Sequence, residues 1–320
     1  MHGNSPARRC RKTSRWTIFA GALVLFPVLP MASQALGQMP ADDAQRVSSA
    51  LTWSLIPGAG HYYLEERKEA AIYGGTTFSL LAAGLRLNER NRELDRKDEV
   101  NIFWLLALKE WELSLFTTYR SALRSARSDL SSRGVDDASV TELALSPFRK
   151  EQCLDPLVIL AGLLGAATAV YDSRHSGGTL SHVQRVGILG GHANQEWGSL
   201  LYSAEAFGLS LASAVGEEAI WRGLIQNELE RDVGRRWGLG LTALLFGAAH
   251  VIDLQGELNG EGVVVGTLAG FYLGYLFQRD EHRLCRPIAA HFWYNFAAML
   301  TAFALDPKKN PLGVQVSFRF

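Results

Sequence analysis

The sequence has few cysteines, no excess of charge of either sign and no internal repeats. Its three cysteines, Cys10, Cys153 and Cys285, are too scattered for a metal site or a disulfide framework. The 32 basic and 32 acidic residues cancel. No basic stripe with interleaved aromatic residues is present either, so no nucleic-acid partner is expected. The lack of repeats excludes a solenoid.

What the sequence does contain is clustered hydrophobicity. Hydrophobic residues make up 48% of the chain and charged residues 20%, and long apolar runs are separated by arginine-rich loops. This pattern predicts an all-α fold, a multispanning membrane helical bundle of about six to seven transmembrane helices. The predicted spans are residues 70–85, 154–171, 200–228, 238–252, 262–278 and 287–305.

Residues 102–119 form a weaker candidate span, because Lys109, Glu110 and Glu112 interrupt the apolar run. We interpret this segment as an amphipathic helix that lies at the membrane interface.

The distribution of basic residues predicts the orientation of the bundle. If the six stronger segments span and residues 102–119 do not, every basic loop falls on the cytoplasmic side, including 86–97 and 120–150. The same arrangement places residues 38–69 outside. If residues 102–119 do span, the two basic loops cannot both be cytoplasmic.

Residues 1–37 have the composition of a signal peptide. A basic stretch precedes the apolar residues 17–30, and small residues follow up to Gly37. The apolar run is short for a span, so cleavage near position 35 or 37 is favoured over an uncleaved signal anchor. Such a leader indicates a bacterial envelope protein, and the expected location is the inner membrane, crossed several times.

Three ionisable residues stand out in an otherwise apolar stretch: Glu217, Glu218 and Arg222. A charge at membrane depth costs roughly 2.5–3.5 kcal/mol on insertion scales, so such residues mark a functional site by default. Glu218 and Arg222 are four residues apart, which predicts an ion pair on one helix face. Glu217 is rotated by about 100° from Glu218. It is therefore expected to face a water-filled cavity, where a desolvated carboxylate suits general-base work.

Two later segments contribute polar residues at the same helical spacing. Phe246 and His250 are four residues apart, as are His291 and Asn295. Measured along their helices from the nearest basic loops, these side chains and Glu217 could meet in the inner half or the centre of the bilayer. The sequence therefore predicts one site built from three helices.

The three motifs together resemble those of a known family. E-E-x-x-x-R, F-x-x-x-H and H-x-x-x-N occur in this order on successive hydrophobic segments, over residues 198–305. This pattern resembles the CPBP family, the CAAX proteases and bacteriocin-processing intramembrane endopeptidases, which include the type II CAAX prenyl endopeptidase.

The resemblance implies peptide-bond hydrolysis inside the membrane by activated water. Glu217 would be the general base, and His250 would orient the water. His291 and Asn295 would stabilise the oxyanion of the tetrahedral intermediate. The supporting residues implied are Glu218 and Arg222, as an ion pair, and Phe246, which would shape the cavity. The implied partners are the lipid bilayer and a membrane-associated peptide or protein substrate.

The sequence allows two alternatives for the metal content of the site. Zinc bound by His250, His291 and Glu217 is one, since two histidines and a glutamate can hold this ion with a catalytic water. The sequence lacks His-Glu-x-x-His, however, in which two ligands lie one turn apart on one helix. We therefore favour an enzyme without a cofactor.

These patterns together predict four regions of the chain. Residues 1–37 form the signal peptide, 38–150 an N-terminal region with one transmembrane helix, the interfacial helix and a basic loop, 151–305 the intramembrane protease domain, and 306–320 a C-terminal tail. Two other functions remain as alternatives. One is a non-catalytic membrane scaffold or chaperone of the same family, and the other is a carrier for protons or small solutes.

Two further patterns concern the fold. Residues 54–63 contain Pro57, Gly58 and Gly60, which predict a tight turn at the membrane interface with His61 as an interfacial side chain. The second pattern is a stripe of small residues at four-residue spacing, which predicts close helix packing. Its members are Gly266, Gly270 and Gly274.

Overall fold

Helices dominate the computed structural model, which describes residues 39–96, 99–126, 130, 133–173, 180–252 and 258–318. The predicted signal peptide therefore lies outside the described residues. The α-helices are α1 (Ala41–Trp53), α2 (Ala59–Tyr63), α3 (Arg67–Glu93), α4 (Ile102–Ser125), α5 (Val140–Leu145), α6 (Lys150–Cys153), α7 (Pro156–Asp172), α8 (Gln195–Ile220), α9 (Asn227–Val233), α10 (Arg235–Ala249), α11 (Gly260–Arg279) and α12 (Cys285–Leu305).

Local chemistry fixes where several helices begin. Asn194 caps α8 by accepting a hydrogen bond from the backbone N–H of Trp197. Asp155 caps α7 in the same way, and Pro156 occupies the first helical position, where no N–H is needed. At α5, Ser139 and Glu142 form a reciprocal capping box. These hydrogen bonds from the backbone and side chain of Ser139 lower the pKa of Glu142.

Each of the six predicted spans coincides with a helix: α3, α7, α8 with its continuation, α10, α11 and α12. Among the described residues, α11 and α12 are long and apolar enough to cross a membrane, and α7 is a shorter apolar helix. The outer faces of α7, α10 and α11 expose large apolar side chains, such as Leu163, Leu244 and Leu268. Such faces suit contact with lipid. The number of spans remains a prediction.

Helix α4 lies inside the bundle, contrary to its interpretation as an interfacial helix. Every residue from Glu112 to Arg120 is buried. A Cβ atom added at Gly216 would lie 2.6 Å from the Lys109 carbonyl oxygen, and one added at Gly223 would lie 2.4 Å from the Phe116 ring. Because both contacts advance by seven residues, α4 and α8 run parallel. The charges of Lys109 and Glu112 are accommodated because these two side chains pair within the bundle.

The parallel course of α4 and α8 places the two basic loops at opposite ends of the bundle. Before α4, Glu99 accepts a hydrogen bond from the backbone N–H of Leu189, close to the start of α8. Near the C-terminal end of α4, Tyr119 donates a hydrogen bond to Glu228, which follows the end of α8 in the chain. The arrangement with residues 86–97 and 120–150 on one side is therefore wrong.

The segment before α3 lies at the same end of the bundle as residues 120–150. His61 is buried, and its Nε2 atom lies 3.0 Å from the Thr117 hydroxyl on α4. Its Nδ1 atom lies 2.7 Å from Glu66. The predicted turn is present, with Gly58 at a φ of 80° that favours glycine. The expectation of an interfacial His61 is wrong, because α4 covers this side chain.

The predicted basic loop at 120–150 is only partly an exposed loop. Arg120 is buried on α4 and donates hydrogen bonds to the carbonyl oxygens of Asp136 and Ala138, at 3.2 and 2.6 Å. Arg133 is also buried, 3.8 Å from a carboxylate oxygen of Glu228. The contacts of these two arginines therefore stabilise the segment in which the chain turns back after α4.

A small antiparallel sheet supplements the helices. It consists of β1 (Val183–Ile188), β2 (Gly191–Asn194) and β3 (Gln315–Phe318), in the order β2-β1-β3. Strand β3 comes from the predicted C-terminal tail and pairs with β1, with Val186 opposite Val316. The fold is thus mostly helical rather than all-α, and the sheet lies at the beginning of α8.

The glycine stripe of α11 packs against α10, as predicted. A Cβ atom added at Gly270 would lie 2.8 Å from the Cα atom of Ala243 and 3.0 Å from its carbonyl oxygen. Contacts this close to the backbone cannot relax by a simple side-chain rotation. The absence of a side chain therefore sets the distance between the two helices.

We expect Gly270→Ala to lower the free energy of unfolding by roughly 1–3 kcal/mol, because it overpacks this contact. Gly240→Ala on α10 is the matched control, since no atom lies within 4 Å of the added Cβ. The control should be neutral or stabilising by up to about 1 kcal/mol, the helix propensity gained. Thermal unfolding in detergent measures both, and equal midpoints would contradict the packing described for α11.

Candidate active site

The two glutamates of the first motif lie in the last turn of α8, immediately before a wider π-helical turn. This turn spans Trp221–Gln226, and all six of its residues are buried. Single π-helical turns inside longer helices are frequently found at functional sites. The turn carries Arg222 into the bundle interior, where the guanidinium has no exposure to solvent.

Glu218 connects α8 with α12. Its Oε1 atom accepts a hydrogen bond from Arg222 Nη1 at 3.0 Å, which is the predicted ion pair. The same oxygen lies 2.7 Å from His291 Nδ1. Because a carboxylate paired with an arginine only accepts, Nδ1 of His291 carries the proton in this contact. The first and third motifs therefore meet at one buried oxygen.

Arg222 also contacts α10 and α11. Its guanidinium lies 4.5 Å from the centre of the Phe246 ring, a cation–π distance. Its Nη2 atom donates to the carbonyl oxygen of Gly270 at 3.3 Å. One turn further, Gln226 donates to the carbonyl oxygen of Gly274 at 3.1 Å. The lack of a side chain at Gly274 makes room for Gln226, because an added Cβ atom would lie 2.6 Å from its Oε1 atom.

Glu217 faces α4 and is bound there by a lysine side chain. Its Oε1 atom lies 2.9 Å from Lys109 Nζ, and both side chains are 11% exposed. Lys109 also contacts both carboxylate oxygens of Glu112, at 3.0 and 3.1 Å. The prediction that Glu218 and Glu217 point in different directions is confirmed, but the partner of Glu217 is a lysine.

His250 stands at the C-terminal end of α10, directly after the last helical residue, and is half-buried. Its Nδ1 atom lies 2.7 Å from the carbonyl oxygen of Phe246, so Nδ1 donates and Nε2 is left for another partner. The rings of Phe246 and His250 are 4.7 Å apart, and those of Phe246 and His291 are 6.4 Å apart. Phe246 thus lies between the two histidines.

Both histidines interact electrostatically with Glu217. Asn295 lies one turn beyond His291 on the same side of α12 and is half-buried. No hydrogen bond to the Asn295 side chain is formed by the part of the chain that the structure describes. Its amide is therefore available for a substrate.

The structure brings six of the seven predicted residues into direct or electrostatic contact, and places Asn295 one turn away. Sequence reasoning missed Lys109 and Glu112. A signal for them exists, because they are charges in an apolar run like Glu217 itself, and are spaced at i,i+3 on one helix face. We interpreted them as a reason for an interfacial helix instead.

The arrangement of donors does not fit zinc. Nδ1 of each histidine is oriented by a hydrogen bond, and within the described residues no hydrogen bond is formed to either Nε2 atom, which suits a metal ligand. The third ligand, however, would be Glu217, whose carboxylate is bound to an ammonium that repels a dication. Within the described residues, no group of three histidine, cysteine or acidic side chains is placed to hold a metal ion.

We expect Arg222→Met to lower the free energy of unfolding by roughly 3–5 kcal/mol, because it leaves the buried Glu218 carboxylate without its cation. The double variant Glu218→Gln/Arg222→Met should lose less than the sum of the single variants, as both charges are removed. Arg90→Met is the control, since the Arg90–Glu93 pair is more than half exposed and should change stability by about 0.5 kcal/mol or less. Additive losses in the double variant would contradict the coupling.

Comparison with known proteins finds a match to a protein family. Residues 199–297 match the family model described as type II CAAX prenyl endopeptidase Rce1-like. No curated protein and no solved structure matches the chain. The matched segment begins in α8 and ends two residues after Asn295, so it contains all three motifs. The resemblance is confirmed over residues 199–297, which are similar to the CAAX proteases of the CPBP family.

Proposed function

We propose that the protein is an intramembrane endopeptidase. It hydrolyses peptide bonds of membrane-associated peptides or proteins with a water molecule that Glu217 activates. The family consists of membrane-integral proteases, which supports a peptidase activity in general. The observation that carries the proposal is the network of Glu218, Arg222 and His291, which joins two of the three motifs beside Glu217.

In the proposed reaction, Glu217 takes a proton from water as the water oxygen attacks the scissile carbonyl carbon. The carbonyl π electrons move to its oxygen, and the tetrahedral intermediate carries one negative charge. When the C–N bond breaks, the proton passes from Glu217 to the leaving amine. No acyl-enzyme forms. His250 orients the water through its Nε2 atom.

The oxyanion is stabilised by His291 and Asn295. The amide of Asn295 donates a hydrogen bond in any protonation state of the site. Nδ1 of His291 already donates to Glu218. In the proposed reaction, His291 contacts the oxyanion through its other ring nitrogen, Nε2. Glu218 and Arg222 orient this ring, and Phe246 separates it from His250.

We further propose that the reaction needs no metal ion and that the protein resides in the inner membrane of a bacterium. The contact of Lys109 with Glu217 supports the first point, because an ammonium occupies the place of a dication. The basic residues at one end of α8 and α11 support a cytoplasmic position for that end.

The same contact favours a second candidate function, a non-catalytic membrane scaffold. A carboxylate bound to an ammonium is a weaker base than a free one, so the pair could hold a former catalytic site in a resting arrangement. The two functions are separated by whether the wild-type protein turns over substrate.

The proposed reaction makes a prediction about Glu217. In proteoliposomes, we expect the wild-type protein to cleave a farnesylated CAAX peptide or a transmembrane peptide without lipidation. Glu217→Gln should lower this cleavage by about 10²–10⁴-fold, the usual contribution of a general base. Mass spectrometry of the products measures it.

Glu205→Gln is the matched control for this variant. Glu205 lies on the same helix, three turns before Glu217 and about 18 Å away, and should be dispensable for cleavage. Full activity in Glu217→Gln would overturn the assignment of the base. A wild-type protein that cleaves neither peptide, yet binds one, would favour the scaffold.

The proposed reaction also makes a prediction about metal dependence. We expect dialysis against a chelator to leave cleavage unchanged, because no step in the proposed reaction uses a metal ion. The measurement compares initial rates before and after dialysis, and after zinc is added back. A loss of cleavage that zinc restores would contradict the proposal and support the zinc-dependent alternative.

A further inference from the structure

The Lys109 side chain lies outside the segment that matches the protease family, yet it touches the proposed catalytic base. Its Nζ atom is 2.9 Å from Glu217 Oε1, whereas the matched segment begins at residue 199. The N-terminal region therefore contributes a charged group to the site. This contribution rests on the proposed function of Glu217.

Close backbone packing holds Lys109 in this position. Gly216, the neighbour of Glu217, lies against the backbone of Lys109: an added Cβ atom would be 2.6 Å from its carbonyl oxygen and 3.2 Å from its Cα atom. Two turns later, Gly223 lies against the ring of Phe116, where an added Cβ atom would be 2.4 Å from a ring carbon. Helix α4 cannot move relative to α8 without disrupting both contacts. The packing of the two helices therefore fixes the position of Lys109.

Glu112 fixes the other side of the ammonium. Both of its carboxylate oxygens lie within 3.1 Å of Lys109 Nζ, and its side chain is 6% exposed. The ammonium is thus held between a glutamate on its own helix and one on α8. A flexible lysine with two buried anchors loses the freedom that makes an exposed lysine a poor orienting group.

This arrangement has a chemical consequence for Glu217. A general base must be ionised, and an ionised carboxylate is costly to bury without a cation. Arg222 is paired with Glu218, which leaves Lys109 as the cation bound to Glu217. Because Lys109 binds Oε1, the second carboxylate oxygen is the one that can take a proton from water.

We propose that Lys109 is a positioning residue of the active site. It binds and neutralises one oxygen of the Glu217 carboxylate, and Glu112 holds it there. The catalytic unit therefore includes α4 and extends beyond the matched family segment. Lys109 acts on the reaction through Glu217 and does not contact the substrate.

The kinetic test uses three variants of the full-length protein in proteoliposomes, with the peptide that the wild type cleaves. We expect Lys109→Met to lower kcat by about 100-fold, the cost of misplacing a catalytic group by about 1 Å, with little change in KM. Lys109→Arg restores a cation and should recover part of this loss. Glu112→Gln should lower kcat by less than Lys109→Met, because the ammonium keeps its contact with Glu217.

Lys150→Met serves as the matched control, since Lys150 is an exposed lysine and its removal should leave kcat unchanged. Thermal unfolding of every variant separates a loss of fold from a loss of positioning. A stable Lys109→Met protein that keeps the wild-type kcat would overturn the proposal. So would an equal loss in the methionine and arginine variants with unfolding midpoints near that of the wild type.

A second measurement does not depend on activity. A membrane-permeable carbodiimide forms an amide between a lysine and a carboxylate in direct contact, and mass spectrometry locates the joined peptides. We expect a crosslink from Lys109 to Glu217 that disappears in Glu217→Gln. Its absence in an active protein would overturn this inference alone. A wild type that cleaves nothing would overturn the proposed function, while the crosslink would still test the contact.

Discussion

The arrangement of the site depends on one buried carboxylate, that of Glu218. A single oxygen accepts hydrogen bonds from Arg222 and from His291, in a position with no exposure to solvent. A carboxylate in this environment is strongly destabilising unless its charge is compensated and its oxygen bonded. Arg222 in turn reaches the backbone of α11 and the ring of Phe246. The requirement to satisfy Glu218 therefore sets the positions of α8, α10, α11 and α12 relative to one another.

Small residues make these polar contacts possible. On α8, Gly216 allows the backbone of α4 to approach, which brings Lys109 to Glu217, and Gly223 in the following π-helical turn makes room for the Phe116 ring. On α11, Gly270 and Gly274 expose carbonyl oxygens that accept from Arg222 and Gln226. In lipid, where apolar burial does not drive helix association, close packing and hydrogen bonds between helices supply the stabilisation. The glycines therefore bring the helices close enough for the polar and charged side chains to form hydrogen bonds and ion pairs between them.

Much of the site follows from local spacing. The pairing of Glu218 with Arg222 and the closeness of Phe246 to His250 need only the period of the helix. The contact of His291 with Glu218 and the sheet pairing of residues 315–318 join parts of the chain far apart in sequence. No spacing rule predicts them. Lys109 is hard to interpret for a different reason. A lysine in an apolar run argues against a buried helix, unless it is known that a carboxylate on another helix, here Glu217, pairs with it.

We propose that peptide substrates are hydrolysed between Glu217 and Asn295. A structure of the Glu217→Gln variant in lipid nanodiscs with an uncleaved substrate peptide tests this directly. We expect the scissile carbonyl oxygen to lie within hydrogen-bond distance of Asn295, and its carbon to face position 217 with room for one water. A peptide bound on the outer face of the bundle, with its backbone away from both residues, would rule out hydrolysis at this site.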